Sequence, residues 1–177
     1  MMTFWSGLSF YDFLVEECKL NQKVALMGVS RGGLFVYNWA KKNPDKVACI
    51  YAEAPVCDFK SWPSEFGKSE GSPADWERLK EEYGFISDDD AKQFADNPMD
   101  GLEVLAENKV PILHMIGLND KIVPPDENTI PLINKFISIG GIATVVPCTK
   151  IGQKLKDHHF ISKPSRLVAD FIKYNTR

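Results

Sequence analysis

Residues 23–33 read KVALMGVSRGG, and their order decides how this chain folds. Lys23 to Met27 is a short apolar run of strand type. It enters Gly28-Val29-Ser30-Arg31-Gly32 without an intervening polar residue, and the segment that follows, Leu34 to Lys42, carries helical spacing up to Asn43-Pro44. Pro44 disfavours helical geometry at Asn43, so the helix is expected to stop there. A G-x-S-x-G sequence between a strand and a helix predicts a tight turn that lifts the serine hydroxyl above the end of a sheet. Side chains two residues before and after the serine would collide as strand and helix close on each other. Gly28 and Gly32 are expected to meet that need. A phosphate-binding turn at a helix N-terminus is the competing reading, but both G-x-G-x-x-G and the P-loop lysine are absent.

Outward from this turn, strand-like runs alternate with helix-like ones. Val47 to Ala52 predicts a second strand, Lys109 to Ile116 contains a third, and Ala143 to Val146 predicts a fourth. Helices are expected at Leu8–Leu20, Asn128–Ile139 and Pro164–Tyr174. The alternation implies an α/β protein with a mostly parallel sheet covered by helices. Residues 58–97 interrupt it with a polar stretch that holds Trp62, Phe66, Trp76, Tyr83 and Phe85. Helices at Pro73–Tyr83, with Ser72 as N-cap, and at Asp88–Ala95 would make this a small helical cap over the sheet's C-terminal edge. Trp62, Trp76 and Phe85 are expected to pack the cap's own core rather than line a pocket. The whole chain, residues 1–177, reads as a single domain.

A serine hydroxyl is a weak nucleophile at neutral pH and needs an imidazole base held by a carboxylate. After a serine turn of this kind the acid precedes the base in the chain. There are three histidines. His114 sits inside the third strand and is expected to be a satisfied core residue. His158 and His159 lie between the last strand and the last helix, where a loop can lean over the serine. His158 is preferred as base and His159 is the alternative. The preferred acid is Asp120, directly after the third strand, where open α/β sheets place their sites. Glu53, at the end of the second strand, is the alternative, with Asp58 just beyond. The backbone N–H of Arg31 is the expected oxyanion donor, and its side chain is expected to face solvent or pair with a nearby carboxylate.

The net charge is −3 with no block of Lys or Arg, which argues against a nucleic-acid partner or a polybasic membrane contact. No window is apolar enough to span a bilayer. The start of the chain lacks the basic-then-apolar order of a signal peptide. The four cysteines contain no C-x-x-C pair, so neither metal nor redox cofactor is expected. Reduced, half-buried thiols in a cytoplasmic protein fit this pattern.

Five segments in order, VALMGVSRGG (24–33), KKNPDKVACIYAEAP (41–55), VPILHMIGLNDKIVPP (110–125), ATVVP (143–147) and KDHHF (156–160), resemble the α/β-hydrolase superfamily on its esterase, dienelactone-hydrolase and prolyl-oligopeptidase side. The resemblance implies Ser30 as nucleophile, Asp120 as acid and His158 as base, with a carboxylic ester as substrate and no cofactor. Peptide or amide cleavage of the prolyl-oligopeptidase type is the alternative, and a non-catalytic interaction protein is a third. Many relatives have Gly before the catalytic histidine, where this chain has Asp157. The family also builds strands and an oxyanion loop ahead of the helix that precedes the serine strand. The chain is therefore expected to be a fragment of a longer enzyme, or to cover the exposed edge of its first strand by forming a homodimer, with weak activity on its own.

Overall fold

The computed structural model describes residues 10–148, 158 and 165–177. Four strands, β1 (Val24–Val29), β2 (Val47–Glu53), β3 (Ile112–Ile116) and β4 (Ala143–Pro147), form one sheet in the order β1-β2-β3-β4, with every neighbouring pair parallel. Helix α1 (Gly32–Lys42) connects β1 to β2. Three helices, α2 (Pro73–Tyr83), α3 (Asp88–Gln93) and α4 (Glu103–Glu107), lie between β2 and β3. Helix α5 (Thr129–Ser138) precedes β4, and α6 (Ser165–Asn175) is the last element.

The central strands explain the layering. β2 and β3 are buried almost throughout, as parallel strands covered on both faces must be. Successive side chains point to opposite faces. Ile50 and Ile112 join the main core with Val36, Trp39, Leu132 and Phe136 from α1 and α5. Tyr51 and Leu113, one residue on, pack with Val168 and Phe171 of α6 on the other face.

The edge strand β1 behaves differently. Val24 and Leu26 contact the main core, whereas Met27 and Val29 are 61% and 44% exposed. An apolar groove of about 280 Å³ runs beside it, lined by Phe10, Tyr11, Leu14, Met27, Phe35 and Trp39 among others.

Several sequence expectations shift in detail. The strand before the serine extends two residues further than expected, through Gly28 and Val29, so the turn begins at Ser30 itself. The expected first helix is shorter. A π-helical turn covers Phe13–Glu17, and Lys19 has a left-handed φ of 56°, which ends the helix before Asn21; residues 8 and 9 lie outside the described residues. The expected helix at Asp88–Ala95 ends at Gln93. Its start is fixed by a capping box in which Ser87 accepts from the Asp90 N–H and Asp90 accepts from the Ser87 N–H. Ser72 occupies the N-cap position of α2, but its hydroxyl donates to Asp75 instead of accepting from the backbone.

The stretch between β2 and β3 has its own aromatic core. Phe59 is fully buried among Trp76, Tyr83, Phe85 and Phe94. Trp76 and Phe85 therefore pack as expected. Trp62 does not: it joins Val56 and Val123 in a separate cluster, with Leu34 and Ile122 against it. Lys41 of α1 ties the stretch down. Its almost buried ammonium donates to the Asp96 carboxylate at 2.6 Å and to the carbonyls of Asn97 and Asp100 at 2.8 and 2.9 Å.

Candidate active site

Ser30 follows β1 with φ 53°. That left-handed conformation strains any residue with a Cβ, by about 1–3 kcal/mol, and three backbone bonds hold it. The Ser30 N–H donates to the Glu53 carbonyl at 2.9 Å, and the Ser30 carbonyl accepts from Gly33 at 3.0 Å and from Val56 at 2.9 Å. The turn is thus clamped by the ends of β1, α1 and β2.

The glycines around it divide the work differently from the expectation. A Cβ on Gly28 would lie 2.9 Å from a Val36 methyl and 3.0 Å from the Gly32 carbonyl oxygen. One on Gly32 would meet nothing within 4 Å, whereas one on Gly33 would lie 2.5 Å from the Val56 carbonyl. The close approach after the serine belongs to Gly33, where α1 leaves the turn against the residues that follow β2.

The structure brings Ser30, His158 and Asp120 together from three separate parts of the chain. Ser30 Oγ lies 2.9 Å from His158 Nε2, and His158 Nδ1 lies 2.6 Å from Asp120 Oδ2. His158 and Asp120 are only 6% and 5% exposed. The other carboxylate oxygen of Asp120 accepts from the N–H groups of Ile122 and Val123, both at 2.9 Å. One oxygen is thereby committed to the backbone, and the other faces the imidazole.

Glu53, the alternative acid, takes the Tyr51 hydroxyl on its carboxylate, and Tyr51 also reaches the sulfur of Met115. The carboxylate on His158 is that of Asp120. His159 and Asp157 lie outside the described residues. His114 is the satisfied core residue expected of it: it is fully buried between the Tyr37 hydroxyl at 2.6 Å and the Thr129 hydroxyl at 3.0 Å.

Arg31 stands at the N-cap of α1, and its N–H meets no acceptor among the described residues. Its guanidinium pairs with Asp75 at 3.2 Å and lies over the Trp62 ring, 5.9 Å from the centroid. Beside it is a cavity of about 220 Å³ whose lining includes Leu34, Trp62, Asp75, Leu79 and Tyr83. Behind that cavity Trp62 packs on the buried side chains of Val56 and Val123; sequence reasoning missed this cluster, because its members join only when the segments after β2 and β3 meet. No group of three or more metal-ligating side chains occurs among the described residues, and no helix there is long and apolar enough to cross a membrane.

A hydroxyl on a strained strand-to-helix turn, facing an imidazole that faces a carboxylate, all at the C-terminal edge of a parallel sheet, is the arrangement of an α/β-hydrolase fold with a Ser-His-Asp set. The chain belongs to the prolyl oligopeptidase family, whose profile matches residues 9–173. Solved structures share the fold at low sequence identity. Acylaminoacyl peptidase from Pyrococcus horikoshii is 18% identical with a TM-score of 0.64, over 97% of this chain and 27% of that one. Acetyl xylan esterase 1 from Thermoanaerobacterium sp. JW/SL YS485 is 17% identical with a TM-score of 0.63, over 95% and 50%. The monoacylglycerol lipase of Paleococcus ferrophilus is 20% identical with a TM-score of 0.54, over 97% and 74%. The chain spans about a quarter of the length of the peptidase it matches. No curated protein sequence matches it.

Proposed function

We propose that this chain cleaves carboxylic esters through an acyl-enzyme, with Ser30 as nucleophile, His158 as general base and acid, and Asp120 as the carboxylate that orients the imidazole. The observation that carries the reading is the continuous hydrogen-bonded path from Ser30 Oγ through His158 to Asp120. Ser30 Oγ attacks the ester carbonyl carbon while its proton passes to His158 Nε2. The oxyanion that forms lies against the N–H of Arg31. When the tetrahedral species collapses, the C–O bond to the alcohol breaks and His158 returns the proton to the departing oxygen. A water then gives its proton to His158, attacks the acyl carbon, and releases the acid and Ser30. Asp120 holds the imidazole in place and stabilises the imidazolium that forms.

An ester is the first choice because an alkoxide leaves more readily than an amine. Peptide or amide cleavage is the second reading, favoured by the family match and by the peptidase neighbours. Ser30→Ala is expected to abolish labelling by a fluorophosphonate probe, and continued labelling of that variant would reject the assignment. Parallel rates on short acyl esters and on chromogenic peptides separate the two substrates.

Among the described residues β1 pairs with a strand on one side only, and this supports self-association, with β1 pairing to β1 of a second copy across a two-fold axis. Sedimentation should then show a dimer that Met27→Lys dissociates, and a wild-type monomer at all concentrations rejects it. The unpaired thiols, including buried Cys49 and Cys57, support the cytoplasm as the compartment.

A further inference from the structure

Asn128 is 1% exposed and lies at the N-cap position of α5, yet its side chain makes no cap bond to its own helix. It is turned away from α5, and every hydrogen-bonding position on its amide is taken. Its Oδ1 accepts from the N–H groups of Cys57 and Asp58 at 2.9 and 3.2 Å. Its Nδ2 donates to the Ser61 hydroxyl at 3.1 Å and to the Pro124 carbonyl at 3.0 Å. An amide carries two acceptor sites and two donors, so this one is saturated.

Both segments it joins belong to the site. Residues 57–61 lead from buried Val56 to Trp62, whose ring is part of the wall of the cavity beside Arg31, and Pro124 follows Val123, whose N–H holds Asp120. On its cap-facing side the acid loop is fixed by the Ser69 hydroxyl on the Ile122 carbonyl and the Glu70 N–H on the Lys121 carbonyl. Toward the core, a side-chain bond comes from Asn128. The next residue, Thr129, meets His114 of β3, so the junction rests on the sheet.

Resting on the hydrolase reading above, we propose that Asn128 is a positioning residue: it sets the Asp120 loop and the Val56–Trp62 segment at a fixed distance from each other. It touches neither substrate nor the imidazole. It acts through Asp120, whose aim at His158 depends on where residues 122–124 stand. Displacement of about 1 Å in such a group costs about a hundredfold in rate.

The test uses Asn128→Asp in mildly alkaline buffer, where the new carboxylate is charged. That variant retains an oxygen for Cys57 and Asp58 but sets a second oxygen where Nδ2 met both the Pro124 carbonyl and the Ser61 hydroxyl; the hydroxyl can turn to donate to it, whereas the carbonyl has no proton to give, so the acid-loop contact is the one lost outright. Ser61→Ala is the comparison: it removes one of the amide's contacts on the wall side, together with the Ser61–Glu127 bond, and leaves those to Cys57, Asp58 and Pro124 in place. Two readings are taken: kcat and KM with an acyl ester, and the far-downfield proton resonance of the His158 Nδ1–H on Asp120. Asn128→Asp is expected to lower kcat about ten- to a hundredfold and to shift or broaden that resonance. Ser61→Ala should leave the resonance in place and act chiefly on KM. A folded Asn128→Asp with wild-type kcat and an unmoved resonance overturns the proposal, as does equal behaviour of the two variants. If Asn128→Asp does not fold, the same readings on Asn128→Ser, too short to reach Pro124, decide it. A wild-type protein that shows the resonance but no probe labelling sinks the hydrolase reading and leaves the positioning role standing.

Discussion

Among the described residues two imidazoles are buried, and their surroundings differ. His114 sits inside β3, fully enclosed, between two neutral hydroxyls. His158 lies at the sheet's C-terminal edge, nearly as buried, but against a carboxylate on one side and the strained serine on the other. An imidazole between hydroxyls has nothing that stabilises its cation, and burial pushes the His114 pKa down to about 3. It stays neutral and holds α1, β3 and α5 together. An imidazole on a carboxylate can take a proton and return it. Chemistry here is set by the partner rather than by the depth of burial.

The largest expected effect separates the two by activity. His158→Ala should lower kcat/KM on the order of 10⁴- to 10⁶-fold, while His114→Leu leaves the folded fraction active within a few-fold, as steady-state assays corrected by active-site titration would show. A similar loss at both positions would erase the distinction. The second effect is on stability. His114→Leu leaves the hydroxyls of Tyr37 and Thr129 without their buried partner, at a cost of about 2–4 kcal/mol, read from denaturant midpoints. A third effect is a pH dependence that sharpens the contrast. The unfolded chain protonates this histidine near pH 6.5 and the folded chain near 3, so between those values the unfolded state binds more protons. The contribution of neutral His114 is whole above about pH 6.5 and declines as pH falls toward about 3. In His114→Leu that part of the acid slope should vanish from pH-dependent melting.

How legible these regions were follows from how local their causes are. Gly28 and Ser30 announce the turn because one short segment must satisfy all its steric demands. Asp120 and His158 could be placed because chain order and sheet edge limit where an acid and a base can meet. His114 was readable from its place inside a fully apolar strand. Asn128 was not, because its amide serves residues about seventy positions earlier, and its sequence context reads as an ordinary helix start. Trp62 escaped for the same reason: its partner Val123 belongs to the loop after β3. Gly32 and Gly33 stand side by side, and their neighbours in sequence do not tell which one faces the backbone at Val56.

The left-handed backbone at residue 30 also bears on how such a chain drifts over generations. Glycine rests there without strain, so a lineage released from selection for turnover gains stability by exchanging Ser30 for Gly. Descendants that abandon catalysis should therefore keep a sound, even sturdier, scaffold, and a glycine at this one position would be the mark of that history.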